Sequence, residues 1–249
     1  MIFKTCSFPS CTLFSRLQLL IKDHKPTGNV VCRPVHATPS FIFGGLSSWL
    51  ISVLRAKLSE RAPHLLRDTS DVVGRLHDPR PDSSWHFCKV DVTDFYVNGS
   101  VDEITSCVLS LFDTRDVIYS TLEAVIRFLL QCQFVRDPWG DSEDLVYQVV
   151  FGSGMGLPHS GELANCAFLG LVERRLLHPR ILNEHGIRGH FRFRDDILLL
   201  GQGLASRTRI YLDMMRTLAT FYSLTAEWGR SSIEYLEVSI CIGCGRFDV

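Results

Sequence analysis

Two adjacent carboxylates, Asp195 and Asp196, stand between apolar, strand-like runs: Phe191-Arg192-Phe193-Arg194 before them and Ile197-Leu198-Leu199-Leu200 after. Parity along a strand puts Phe191, Phe193 and Asp195 on one face and Arg192, Arg194 and Asp196 on the other. The aliphatic run and the following Gly201 read as a β-hairpin with the two acids at or beside its turn. Carboxylates held this close repel each other, and a divalent cation is the simplest partner that makes the pair useful. The plain alternative is a solvated Asp-Asp turn. A third acid, Asp91, follows Phe87-Cys88-Lys89-Val90. An acid in the last positions of a buried strand must be partnered or bind metal, whereas Asp94 suits a cap on the next turn. Two further stretches bear on phosphate chemistry. In Gly152-Ser153-Gly154-Met155-Gly156 the alternating glycines let a backbone pass close to a ligand. Pro158 and Ser160 then open a helix, whose N-terminus is a place for a phosphate or a base pair. No Lys-Ser/Thr follows the last glycine, so this is not a P-loop. Lys22, Lys25 and Arg33 flank a basic hairpin tip that could grip a triphosphate, lysine as a point charge and arginine as a fork. The plain reading of that tip is a solvated basic turn.

The elements that carry these residues follow from periodicity. Residues 13–21 are apolar, and Val30-Val31-Cys32-Arg33-Pro34-Val35 reads as a short strand stopped near Pro34. Helical spacing runs over residues 41–58, through Leu46, Trp49, Leu50, Val53, Leu54 and Leu58. Residues 59–84 are polar, partly helical around 69–76, and end in a Pro-rich loop at a subdomain boundary. Strands are expected over 85–92 and 145–151, helices over 117–132, 158–177 and 204–218, and final strands over 220–228 and 233–240. The order makes an α+β unit whose helices pack on one face of a small antiparallel sheet. In such a unit the Asp91 strand lies beside the Asp195-Asp196 hairpin, so three carboxylates converge.

Composition narrows the class. The chain has 249 residues, 46% hydrophobic and 21% charged, which suits one large domain or two closely packed ones and not a disordered chain. No run of about 18 apolar residues occurs, so no membrane-spanning helix is expected, and residues 1–20 lack a signal-peptide core. Nine cysteines, an odd number without disulfide-like rhythm, fit a reducing, intracellular setting. Cys241-Ile242-Gly243-Cys244 has no second CxxC to match it and reads as strand-end packing. Net charge is −1, which argues against a generic nucleic-acid coat. The charge is uneven, however. Seven Lys/Arg face two Asp/Glu over residues 1–60, eight face fifteen over 61–150, and eleven face ten over 151–249. A basic first third suits phosphates and an acidic middle suits metal ligands, with ordinary surface variation as the plain reading.

Taken in order, these pieces resemble the fingers and palm of a reverse transcriptase, over residues 14–241. Phe193-Arg194-Asp195-Asp196 resembles that family's third palm motif, an aromatic, any residue and two aspartates, with Phe193 in place of the usual tyrosine. The Asp91 strand resembles the first motif, with Tyr96 where the family places a sugar-sensing aromatic. Gly154-Met155-Gly156-Leu157-Pro158-His159-Ser160 with Leu163-Ala164-Asn165 resembles the second. Leu224-Thr225-Ala226-Glu227 and Tyr235-Leu236-Glu237-Val238 resemble the segment that closes the palm. Lys22-Asp23-His24-Lys25-Pro26 followed by Arg33-Pro34, Phe95-Tyr96-Val97-Asn98, and Glu234-Tyr235-Leu236-Glu237-Val238 are most similar to the Penelope-like retroelements.

The resemblance implies a right-hand polymerase architecture: fingers over residues 1–84, the first palm motif over 85–100, an insertion over 101–150, and the remaining palm motifs over 151–249, ending near the start of a thumb. It implies RNA-templated DNA synthesis by two-metal nucleotidyl transfer from dNTPs to the 3′-hydroxyl of a DNA primer. Asp91 and Asp195 would hold two Mg²⁺ (or Mn²⁺) ions, with Asp196 in support. Lys22 or Lys25, with Arg33, would neutralise the triphosphate. Asp94 and Tyr96 complete the nucleotide-binding set, Tyr96 clashing with a 2′-hydroxyl. Gly154, Met155, Gly156, Pro158 and Ser160 would lie along template and primer. The partners implied are RNA, DNA and dNTPs, not a membrane, and a nuclear location follows from the resemblance alone. Two alternatives stay open: an inactive palm remnant that binds nucleic acid, and an RNA-dependent RNA polymerase, against which the bulk of Tyr96 argues. Phe193 without a hydroxyl, Arg194 beside the acids, and a fourth motif without an obvious lysine depart from the family pattern.

Overall fold

The computed structural model describes residues 3–7, 15–21, 32–37, 42–77, 80–136, 145–243 and 245–249. The chain divides into two compact units. The first joins Met1–Leu58 to Tyr96–Ala167, and the second joins Ser59–Phe95 to Phe168–Val249.

In the first unit, β1 (Phe3–Ser7), β2 (Ser15–Ile21), β3 (Cys32–Ala37), β5 (Phe134–Arg136) and β6 (Leu145–Val149) form a five-stranded sheet in the order β1-β6-β5-β2-β3. β2 and β3 pair antiparallel as the sequence suggests. β3 runs through Pro34, however, instead of stopping there; it is the last strand in the sheet order, where a missing N–H breaks no inner ladder. Helix α1 (Gly44–Arg61) buries Ser47, Leu50, Leu54 and Leu58, one stripe at helical spacing. Helix α3 (Val101–Leu109) was not anticipated from periodicity. Its signal is a capping box: the Ser100 hydroxyl accepts from the Glu103 N–H, and the Glu103 carboxylate accepts from the Ser100 N–H. It packs against α4 (Tyr119–Gln131). Helix α5 (Ser160–Phe168) starts in this unit, continues as a π-turn (Leu169–Glu173) and ends as α6 (Arg174–Leu176).

The second unit holds α2 (Thr69–Leu76), β4 (Trp85–Thr93), α7 (Pro179–Glu184), β7 (Ile187–Phe193), β8 (Asp196–Gln202), α8 (Ala205–Leu218), β9 (Ser223–Gly229), β10 (Ser232–Tyr235), β11 (Val238–Ile242) and β12 (Phe247–Asp248). Four strands form an antiparallel sheet in the order β7-β8-β4-β9. On one face, His190 meets Tyr211 of α8 and Glu173 of the π-turn, and His86 meets Thr208 of α8. On the other face, Phe87, Leu198 and Leu200 pack with Val72 and Leu76 of α2 and with Ile233, Tyr235 and Ile240. The expected single strand over 233–240 is broken into β10 and β11 by Leu236 and Glu237, both at positive φ. That is the backbone of a tight two-residue hairpin turn, and no Gly or Asn marks it in the sequence.

Candidate active site

The three acids belong to the second unit, and strand pairing brings their backbones together. Asp91 of β4 lies directly opposite Asp196 of β8, and Asp196 is paired on its other side with Phe193 of β7. The two-residue turn between β7 and β8 is Arg194-Asp195. Because paired residues share a face, Asp196 lies with Phe193, Leu198 and Asp91. This corrects the parity reading, which put Asp195 on the face of Phe193. The turn reverses the chain and resets the alternation. Asp195 is instead tied to β4 through its carbonyl, which accepts from the Val92 N–H at 2.9 Å.

A second correction concerns burial. β4 is covered as far as Val90, but Asp91 is exposed, so it does not need a partner merely to escape an apolar core. The apolar cluster on this face reaches the last rung through Phe193, and the rung opens to water at its Asp91 end. Asp195 and Asp196 are half-buried. Like charges directly opposite each other in a sheet are destabilising, and Asp195 is the next residue along the chain. The ligand atoms of the three acids do not all lie within 4.8 Å of one another, so the backbone brings them near without closing them into one cluster. Carboxylate oxygens without nitrogen or sulfur donors match a hard divalent cation such as Mg²⁺ or Mn²⁺. Backbone strain marks the same place. Arg194 has φ +55°, a left-handed conformation that a long side chain rarely adopts, and Asp94 has φ +55° too, which aspartate tolerates better. Such strain persists only where the surroundings impose it.

The remaining candidates belong to the first unit, apart from Asp94, which is exposed at the end of β4 in the second. Arg33 lies on β3 opposite Leu20, and Lys22 and Lys25 lie outside the described residues. Tyr96 follows the turn after β4, and its carbonyl accepts from the Ser153 N–H at 2.8 Å. The glycine segment is packed from both sides. A Cβ on Gly152 (φ +75°) would come within 2.4 Å of Val97 Cα and 2.6 Å of Tyr96 O. On Gly154 (φ +67°) it would come within 2.5 Å of Gln133 Oε1 and 2.8 Å of His36 Nε2. The His36 N–H donates to the Met155 carbonyl at 2.7 Å. The Ser160 hydroxyl reaches back to the Ser153 carbonyl at 2.5 Å. Tyr96, the glycine segment and β3 therefore form one assembly. Its glycines are required by close backbone approach, beyond any ligand they serve. Burial pushes His36 and His159 down to about 4, so both are neutral at pH 7.

No family model and no curated protein matches this chain. Solved structures do. Apo telomerase from Candida tropicalis aligns with 98% of this chain and 49% of its own at a TM-score of 0.69 and 9% identity. A form of it truncated from the C-terminal domain aligns over 98% and 56% at 0.66 and 11%. The BmCPV RNA-dependent RNA polymerase at quiescent state aligns over 94% and 22% at 0.63 and 13%. The chain has the right-hand polymerase fold. It spans about half the length of the telomerase chains, 49% and 56%, and 22% of the viral polymerase. Among the described residues, no helix is long and apolar enough to cross a membrane.

Sequence reasoning passed over Glu173, His64, His190 and Tyr211, which gather around Arg192 behind the acid turn. No short-range spacing joins them, so no sequence signal singled them out.

Proposed function

We propose that this chain carries the fingers and palm of a nucleic-acid polymerase, and specifically of a reverse transcriptase of the Penelope-like kind. The observation that carries the reading is the rung Asp91–Asp196, exposed at Asp91 and followed in the turn by Asp195, in a right-hand polymerase fold. The finer assignment rests on the local patterns around Lys22–Arg33, Phe95–Asn98 and Glu234–Val238.

On this reading Asp91, Asp195 and Asp196 hold Mg²⁺ or Mn²⁺. A cation bound there would acidify the primer 3′-hydroxyl and offset charge on the α-phosphate and the pyrophosphate. The chain's own residues supply the rest. The β7–β8 turn and β4 hold the acids at fixed spacing. Arg33, with Lys22 or Lys25, neutralises the triphosphate, and Asp94 supports the nucleotide. Tyr96 packs under the sugar and excludes a 2′-hydroxyl. The segment Gly154, Met155, Gly156, Pro158 and Ser160 follows template and primer by shape. Binding of RNA agrees with the telomerase of Candida albicans, solved in complex with a TWJ fragment of telomeric RNA. A nuclear location accompanies the retroelement assignment.

The test is primer extension on an RNA template annealed to a DNA primer, with Mg²⁺ or Mn²⁺ and with dNTPs against NTPs. Extension with dNTPs is expected. Asp195→Asn should abolish it while leaving the affinity for template–primer within about twofold, since one open carboxylate contributes little to duplex binding. Extension with NTPs only would support an RNA-dependent RNA polymerase, the reading favoured by the viral likeness. Binding without extension in the unmutated chain would support an inactive palm.

A further inference from the structure

Behind the acid turn lies an ion cluster for which the mechanism above has no use. Glu173, the last residue of the π-turn, and Arg192 of β7 are both fully buried, at 0% exposure. The guanidinium grips the carboxylate with two nitrogens, Nε to Oε1 at 2.7 Å and Nη2 to Oε2 at 2.8 Å. His190 Nε2 lies 3.2 Å from Oε1, and its Nδ1 meets the Tyr211 hydroxyl at 3.0 Å. His64 Nε2 lies 3.0 Å from Oε2. Phe168 and Phe95 lie with their ring centres 5.1 and 5.7 Å from the guanidinium carbon. Stability alone does not account for such a cluster, because an apolar pair of similar volume usually serves the core as well or better. His64, Glu173 and His190 have the donors of a zinc site. Arg192 occupies both carboxylate oxygens, however, and a second cation there would face the guanidinium across a single carboxylate.

The third guanidinium nitrogen shows what the pair holds. Arg192 Nη1 donates to the Arg194 carbonyl at 2.9 Å. The next two carbonyls are held as well: Asp195 O accepts from the Val92 N–H at 2.9 Å, and Asp196 O from the Tyr235 hydroxyl at 3.0 Å. Three consecutive carbonyls of the acid turn are thus gripped by β7, β4 and β10. The strained residue, Arg194, is the one reached by the buried ion pair. Arg192 is itself fixed along its main chain, donating to His64 O at 3.2 Å and accepting from the Leu66 N–H at 2.8 Å.

We infer that Glu173 and Arg192 are positioning residues for Asp195 and Asp196. Glu173 orients the guanidinium, and the guanidinium holds the turn in its strained conformation, which sets where the two carboxylates stand. For its consequence in catalysis, this inference rests on the polymerase reading. The placement of the turn does not.

The experiment uses the full chain and three variants: Arg192→Lys, Glu173→Gln, and the double replacement Arg192→Met with Glu173→Met. The last removes both charges together, so a folded protein without the grip is available if the single variants misfold. Amide hydrogen exchange is followed by NMR at Val92 and at residues 194–196, with the Phe87 and Leu200 amides of the same sheet as reference. The expected result is exchange about tenfold faster at Val92 and the turn, with the reference amides unchanged. In primer extension the variants should lose about a hundredfold in kcat while template–primer affinity holds, the pattern of a misplaced catalytic group. Wild-type protection at Val92 in a folded variant would overturn the inference. So would protection lost evenly along β4. If the unmutated chain extends no primer, the polymerase reading fails, and the exchange measurement still decides whether this pair sets the turn.

Discussion

At the scale of single residues, the cost of the site lies in the rung Asp91–Asp196. Two like charges directly opposite each other in a sheet are destabilising. Asp196→Asn removes that repulsion. It should raise the melting temperature of the metal-free protein while removing the stabilisation that millimolar Mg²⁺ or Mn²⁺ gives the unmutated chain. Thermal unfolding with and without the cations, in both proteins, measures both effects. An unchanged response to the cations in the variant would mean that this rung is not where they act. Arg194 belongs to the same scale. A large side chain at φ +55° is strained, and its carbonyl is the one that Arg192 holds.

The elements explain why the glycine segment reads as functional and is also structural. The alternation in Gly152-Ser153-Gly154-Met155-Gly156 suggests a backbone that a ligand can approach. In the fold, the first neighbours to make that approach are Val97 and Tyr96 at Gly152, and Gln133 and His36 at Gly154. Gly152→Ala combines a positive φ with a Cβ only 2.4 Å from Val97 Cα. It should destabilise the protein by about 2–4 kcal/mol, the sum of the left-handed penalty and overpacking. Chemical denaturation reads this directly, and a loss under about 1 kcal/mol would mean that residues 96–97 yield easily. The π-turn is a second case. A helix over 158–177 was expected from its pattern, but the extra residue per turn was not visible in it. That insertion lies in the turn of helix that ends at Glu173, the residue that meets Arg192.

For the molecule as a whole, acid should act through buried histidines. His36 and His159 are held near 4 by burial, against 6.5 for an unburied imidazole. Their folded values lie below their unfolded values, so the unfolded chain takes up protons first. The stability they contribute is complete above pH 6.5 and is lost as pH falls toward 4. Each contributes up to about 3 kcal/mol over that window. Urea unfolding at pH 7, 5.5 and 4.5 should show this decline, and a His159→Gln variant should show a shallower one. A flat profile would mean that these imidazoles are not neutral in the folded state.

Much of the fold was legible in the amino-acid order. Strands, helices and the acid hairpin declare themselves through local period and turn chemistry, physics that acts over a few residues; the expected helix at 69–76 and strand at 85–92 lie within a residue of α2 and β4. The candidate acids Asp91, Asp195 and Asp196 were also found this way, as was the α+β class that the right-hand polymerase fold bears out. What the tertiary structure alone decided is how these pieces register. A shift of one residue between strands turns every side chain to the other face, and only the β4–β8 pairing places Asp91 against Asp196 and leaves Asp195 in the turn. The same holds for Glu173 and Arg192, whose side chains meet across distant segments because helix and sheet pack there. Long-range packing has no short-range signature, so the residues that hold the acids in place came from the fold, and the acids themselves from the sequence.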